Sequence, residues 1–189
     1  SMNTNSDTVG TVAGAIANNA VIQNIVVDSG SITGVEAGGI VGRMFAEGQV
    51  IDCINKADIT STNGTGGAAG IVEKAYYSDV NKDMIISGCE NYGKITSNGY
   101  VAGIVALSAA DISNCSNSGE IAITGTYGCT GGIVGEQQNC GSITNCVNNG
   151  SFSTTVAHTA DGLFESIGGI VGWVRYNGAE GDYTKKEFI

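Results

Sequence analysis

The sequence predicts an all-β chain wound as a right-handed parallel β-helix, a solenoid of about six irregular coils. Three observations carry this expectation. First, a glycine followed by two small or branched apolar residues recurs six times: Gly14-Ala15-Ile16, Gly39-Ile40-Val41, Gly70-Ile71-Val72, Gly103-Ile104-Val105, Gly132-Ile133-Val134 and Gly169-Ile170-Val171. Second, a phrase of the form Cys-x-Asn-x-Gly-x-Ile follows, with constant internal spacing. Third, the 189 residues include 30 Gly, no Pro and only 6% aromatics against 42% apolar residues. The core must therefore be built from Ile, Val, Ala and Cys, which suit strands.

Successive glycines of the first phrase lie 25, 31, 33, 29 and 37 residues apart. Fixed phrases joined by connections of free length are the mark of a repeat architecture. A right-handed winding is the default for parallel crossovers. A β-sandwich would need hairpin turns between alternating strands, and it gives no reason for the same residue types to recur. Each coil is expected to hold three short strands: the glycine phrase, an Ile-to-Cys strand, and a strand carrying the last Ile. Six coils stacked at strand spacing make a rod about 30 Å long.

Each repeated residue has an expected task. The Ile of each glycine phrase and the last Ile of each second phrase should point inward and stack. The glycines Gly39, Gly70, Gly103, Gly132 and Gly169 mark a place where the backbone runs close to something. Both a neighbouring layer and a narrow lumen fit. The second phrase reads Cys53-x-Asn55-x-Ala57-x-Ile59, then Cys89, Asn91, Gly93, Ile95, then Cys115, Asn117, Gly119, Ile121, then Cys146, Asn148, Gly150, Phe152. In the first coil Val26, Asp28, Gly30 and Ile32 have the same offsets. Asn55, Asn91, Asn117 and Asn148 are placed at a corner, where Asn tolerates the left-handed conformation and can form an amide ladder. Asp28 would head that column. Cys53, Cys89, Cys115 and Cys146 fill a column that Val26 starts, so they read as buried small apolar residues. Cys129 and Cys140 fall outside it and are a candidate disulfide pair.

The recurring Gly-Ile-Val-Gly, at Gly39–Gly42, Gly132–Gly135 and Gly169–Gly172, resembles the GLUG motif, in which two hydrophobic residues stand between glycines. That motif occurs in repeats of bacterial surface and secreted proteins, including the immunoglobulin A peptidases of Gram-positive bacteria. The resemblance covers about Val9 to Trp173. In three coils the final glycine is replaced, by Ala17, Glu73 and Ala106. The resemblance implies a bacterial, extracellular or cell-surface stalk or adhesin-like region. It does not imply protease activity, since the metal-binding His-Glu-x-x-His of such peptidases is absent.

Chemistry and partners are less legible. Charged residues are 14% and the net charge is −10, so no basic stripe invites nucleic acid. No apolar run is long enough to cross a membrane as a helix. A monomer with host or bacterial glycans or proteins as partners is the expectation. The acids expected to face outward, Asp52, Asp58, Glu73, Glu90, Asp111, Glu120 and Glu136, are scattered over different columns, which argues against a paired-carboxylate site. Ser153, His158 and Asp161 share one polar connection without the marks of a triad. No cofactor is expected. Asp79, Asn81, Asp83 and Glu90 have calcium-loop spacing, although Met84 stands where the loop needs glycine. Two insertions, from Glu73 to Ile85 with Tyr76 and Tyr77, and from Ser153 to Ile167 with His158 and Phe164, are the candidate binding loops. The chain divides into a lead-in over 1–8, with Ser1-Met2 read as a cloning remnant, repeats over 9–175, and a cap or next module over 176–189. Three readings follow: a non-catalytic stalk or adhesin-like module, a carbohydrate-binding or carbohydrate-processing β-helix, and a non-catalytic region of a secreted peptidase.

Overall fold

The structure is a computed structural model, and it describes residues 1–3, 8–76, 83–138, 141–156 and 166–175. Among these residues every regular element is a strand, and corresponding strands of successive coils pair in parallel. The chain is a β-solenoid with five strands per coil. The second coil shows the plan. Ala37–Gly38 lies in sheet I, Val41–Met44 in sheet II, Gln49–Ile51 in sheet III, Ile54–Asn55 in sheet IV and Asp58–Ser61 in sheet V. Complete coils begin at Val9, Ala37, Gly67, Tyr100 and Thr130, and a sixth contributes Ile167–Gly168 and Val171–Arg175 to sheets I and II.

The expected three strands per coil are thus corrected to five. Each phrase contains a corner that splits it. The glycine phrase bends at Gly39-Ile40, between sheets I and II. The cysteine phrase bends at the residue before the cysteine. That residue holds a left-handed backbone in all five coils: Asn24 (φ 56°), Asp52 (50°), Gly88 (65°), Asn114 (55°) and Asn145 (53°). Only Gly, Asn and Asp populate that region readily, which explains the restricted choice at this position. The ladder asparagines, which were expected to take this conformation, sit three residues later in the strand.

The first coil also departs from the expected alignment. Ala13 pairs with Val41 and Gly10 with Gly38, so its phrase is Gly10-Thr11-Val12-Ala13-Gly14. Gly14 is its last glycine, not its first, and Ala17 is not a replacement for it. Val27 pairs with Asn55, so Ile25 opposes Cys53 and Val27, not Asp28, heads the Asn column. Val26, assigned to the Cys column from spacing, is 52% exposed. One extra residue before Ser31 restores the register, and Ile32 pairs with Ile59.

Inside the tube the columns behave as stacked series. Nine isoleucines, Ile40, Ile59, Ile71, Ile86, Ile95, Ile104, Ile112, Ile121 and Ile133, are fully buried. At roughly 1.5–3 kcal/mol for each buried side chain, they supply most of the drive to stack. The asparagines supply the address. Asn55 Nδ2 donates to Asn91 Oδ1 at 2.8 Å, Asn91 to Asn117 at 2.8 Å, and Asn117 to Asn148 at 2.9 Å. Each of these Nδ2 groups also donates to the carbonyl two residues on, of Ala57, Gly93 or Gly119. A satisfied side-chain hydrogen bond adds only about 1 kcal/mol net, but an orphaned one costs more. The ladder therefore penalises slipped register more than it strengthens the correct one.

The recurring glycines of the first phrase face this ladder. A Cβ on Gly70 would lie 2.2 Å from Gly103 O and 2.3 Å from Asn91 Cγ. One on Gly103 would lie 2.3 Å from Gly132 O and 2.4 Å from Asn117 Cγ. The neighbouring layer and the narrow lumen both demand the glycine. Cys53, Cys89 and Cys115 are buried free thiols, and Cys146 is half-buried. Each thiol donates to the carbonyl two residues before it, at 3.2–3.4 Å. The Cys89 thiol is pushed above its ordinary pKa by contact with Cys115 and Cys53, and then by burial.

Two outcomes check this packing. Gly103→Ala should destabilise the chain by several kcal/mol in urea titration, whereas Gly169→Ala should change it by less than about 0.5 kcal/mol, because nothing lies within 4 Å of a Cβ there. Under native alkylation with peptide mapping, Cys146 should react, and Cys53, Cys89 and Cys115 only after unfolding; equal labelling of all four would contradict a stacked core.

Candidate functional site

The most unusual chemistry lies on the outside of the tube, where sheets I and II meet. Side chains alternate across a strand, and Ala37, Ala68 and Val101 of sheet I face the core. Their neighbours Gly38, Ala69 and Ala102 therefore face out, yet Ala69 and Ala102 are fully buried. A Cβ on Gly38 would lie 1.9 Å from Val41 O. The outer faces of the two sheets are thus folded against each other at this corner, and side chains that leave it enter a crease.

Charged and aromatic groups fill the crease. Arg43 donates to Glu36 Oε2 through Nε at 2.9 Å and through a terminal nitrogen at 2.6 Å, and Thr8 Oγ1 donates to the same oxygen at 3.2 Å. One coil on, Glu73 stands where Gly42 and Gly135 stand in their coils. Its Oε1 lies over Gly67, its Oε2 has no hydrogen-bond partner, and the residue is 3% exposed. Burial, and then the charge of Glu36, push its pKa up to about 8, with Lys74 and Arg43 offsetting part of the shift.

Further along, Glu136 is fully buried and its Oε1 accepts from Gln138 Nε2 at 2.6 Å. Arg175 Nε forms an ion pair with that oxygen at 2.9 Å, and its guanidinium lies 5.5 Å from the centre of the Trp173 ring. Tyr100 packs edge-on to Tyr127, with ring centres 6.1 Å apart. Burial, and then Glu136, push the Tyr100 hydroxyl above its ordinary pKa. Tyr127 remains 44% exposed.

Two of the acids expected on the surface are therefore buried, which is a correction. Glu73 was placed in an outward-facing insertion, but Val72–Ala75 is a strand of sheet II. Glu136 is likewise in a strand, Val134–Gln138. Both point away from the core but into the crease. They stand two coils apart, on the order of 10 Å along the axis. Neither carboxylate reaches solvent in this arrangement, so neither is placed to meet a substrate.

The other expected acids stand on outer faces. Asp58 accepts the Lys94 amide at 2.9 Å, Asp111 accepts the Ser142 amide at 2.8 Å, and Glu120 binds Lys94 at 3.0 Å and Ser153 at 2.5 Å. These contacts tie adjacent coils together. Asp52 occupies the left-handed corner.

The candidate calcium set is not brought together among the described residues. Asp79 and Asn81 lie outside them, Asp83 is exposed ahead of sheet III, and Glu90 in sheet IV accepts a hydrogen bond from Tyr92 at 2.5 Å. No described group of three His, Cys, Asp or Glu residues is arranged to hold a metal. Of the loop candidates, Tyr76 is half-buried, and Tyr77, His158, Asp161 and Phe164 lie outside the described residues. So does Cys140, the proposed partner of the buried Cys129, and so do residues 176–189.

Glu36, Arg43, Tyr100, Tyr127, Trp173 and Arg175 were not singled out from the sequence. A signal existed in the column Arg43, Lys74, Leu107, Glu136 and Trp173, which does not repeat inside an otherwise repetitive coil.

The model of the GLUG motif matches residues 126–154. These residues run from just before the sheet I strand of the fifth coil to the end of its sheet V strand, which is one full turn of the solenoid. No curated protein and no solved structure gave a significant match.

The crease yields a pH prediction. The folded-state pKa of Glu73 is raised from its ordinary 4.5 to about 8, so the native state keeps a proton that the unfolded chain releases. The stability from the neutral carboxyl is fully present below about pH 4.5, declines above it, and is lost once pH passes about 8. Glu73→Gln should therefore match the native protein near pH 4 and exceed it by roughly 4 kcal/mol at pH 9, read as a rising gap between melting temperatures. A constant gap across that range would refute the buried carboxyl.

Proposed function

We propose that this chain is a non-catalytic repeat segment of a bacterial cell-surface or secreted protein, monomeric and extracellular, serving as a stalk or adhesin-like module. One observation carries the reading: five parallel sheets run uninterrupted from coil to coil, with an amide ladder and apolar columns in matching register. The residues that recur are spent on stacking, which makes a rod of defined length. The GLUG match over 126–154 supports a repeat module of this kind.

A second reading has its own support. Tyr127 is 44% exposed and braced edge-on by Tyr100, whose hydroxyl lies near the buried Glu136. A fixed, partly exposed aromatic ring suits the apolar face of a sugar. Glycan-array screening of the full chain separates the two. The stalk reading expects no saturable binding. Binding that Tyr127→Ala abolishes, with melting temperature unchanged, would overturn it in favour of a carbohydrate module.

A further inference from the structure

Three Asn-Gly pairs lie among the described residues: Asn63-Gly64, Asn98-Gly99 and Asn149-Gly150. Asn177-Gly178 lies outside them. None of the three asparagines belongs to the ladder. An asparagine ahead of a glycine carries a reaction of its own. The glycine amide nitrogen can attack the side-chain carbonyl, because no Cβ stands in the way. Whether it does so in a folded chain depends on what holds the two groups, and the three pairs are held differently.

The nucleophile is free in one pair. Gly99 N donates to Ser97 Oγ at 3.0 Å, and Gly150 N donates to Asn148 Oδ1 at 3.1 Å. An amide that gives its hydrogen to a side chain must break that bond before it can lose the proton. Gly64 N has no acceptor among the described residues. Its pair lies in the connection between the sheet V strand Asp58–Ser61 and the sheet I strand Gly67–Ala69, where Thr65 is exposed to water.

The electrophile is prepared at the same place. Asn63 Oδ1 accepts from Thr65 N at 3.1 Å and from Thr65 Oγ1 at 3.2 Å. Both bonds polarise the carbonyl, and both stabilise the oxyanion that forms when its carbon is attacked. Asn98 Oδ1 is buried with no hydrogen-bond partner, so charge building up there would be unsolvated. Asn149 is exposed, but no described donor meets its side chain. Exposure alone would therefore choose Asn149, whereas a free nucleophile facing a polarised carbonyl chooses Asn63.

We propose that Asn63-Gly64 is a self-modifying site, where the native turn converts Asn63 to aspartate and isoaspartate. Hydroxide or a buffer base removes the Gly64 amide proton, and the nitrogen attacks Asn63 Cγ. The new C–N bond closes a cyclic imide as the Cγ–Nδ2 bond breaks, and the nitrogen leaves as ammonia after taking a proton from water. Water then opens either imide carbonyl, giving aspartate or its isoaspartyl isomer. No oxidant, metal or second protein takes part. The product matters to the crease. A Cβ on Gly66 would lie 3.0 Å from Glu36 Cγ and 3.5 Å from Asn63 Cβ. The new carboxylate therefore appears on the same side of the corner as Glu36, the partner of Arg43. The inference is independent of where the protein resides and of whether it binds glycans.

The test ages the full chain in mildly alkaline buffer and follows each asparagine by peptide mass mapping. Asn63 should convert first, with Asn98 and Asn149 persisting about tenfold longer. Thr65→Val keeps the main-chain donor and loses the hydroxyl, so it should slow conversion about fivefold, the worth of one net hydrogen bond. Thr65→Ser should restore the rate. Thr65 is exposed, so both variants keep the fold. In urea, where the turn is gone, the three asparagines should convert at similar rates. An Asn63 that persists in the native chain, an Asn98 or Asn149 that converts as fast, or a Thr65→Val rate equal to the native one would overturn the proposal. So would a lead for Asn63 that survives unfolding, since it would belong to the local sequence and not to the turn.

Discussion

The contact between a glycine without a side chain and an asparagine amide, repeated at each level across a narrow lumen, governs the rest of this structure. The Gly39, Gly70, Gly103 and Gly132 backbones lie against Asn55, Asn91, Asn117 and Asn148, closer than any Cβ would permit. With one wall of the tube held that near the other, the inside is filled mainly by Ile, Val, Ala and Cys, with Met44 and Met84 the larger exceptions. The amide faces a backbone on one side and its own copies above and below. Its hydrogen-bonding groups are therefore met within the column, and a polar side chain can sit in an apolar core without the usual cost of burial. The isoleucines provide the energy of stacking, but they would tolerate a shifted neighbour. The asparagines would not, and register follows from them.

The crease between sheets I and II follows from the same closeness. Folding the glycine corner tightly enough to bring Gly39 against Asn55 also presses the outer faces of the two sheets together, so groups that leave the tube there remain dry. Glu73 and Glu136 are buried for that reason, although neither faces the core. Their surroundings differ. Each keeps one buried oxygen unpartnered, but Glu136 is met by Gln138 and Arg175, while Glu73 sits beside the carboxylate of Glu36. The same crease therefore holds one carboxyl facing a guanidinium and one that burial keeps neutral through mild pH.

Much of this was legible in the sequence because stacking makes identity itself a structural signal. The Cys53 to Cys146 and Asn55 to Asn148 series could be aligned without any structure, and the parallel architecture, the inward isoleucines and the amide ladder follow from them. The first coil misled because alignment there rested on residue type alone. Gly14-Ala15-Ile16 imitates the motif three residues late, and Val26 and Asp28 imitate the second phrase one residue late, while the register obeys backbone pairing and an extra residue before Ser31. The number of strands was underestimated because a corner two residues wide leaves no gap in a phrase. Its trace was the run Asn24, Asp52, Gly88, Asn114 and Asn145, a set drawn only from residues that accept a left-handed backbone. The crease was not legible, since a periodic pattern separates inward from outward positions and cannot show that two outward faces touch.

The direction of the main-chain hydrogen bonds has a mechanical side. Because all the sheets are parallel and stacked coil on coil, those bonds lie along the rod, between layers. Compression or bending is resisted by all five sheets together. Tension applied to the two chain ends instead falls on the bonds of one terminal coil at a time, and peels it before the next is strained. Each coil of 28 to 37 residues, counted between the paired positions of sheet II, then releases on the order of 100 Å of chain. A short stiff spacer of this design also stores a length of slack many times its own, paid out in steps of that size.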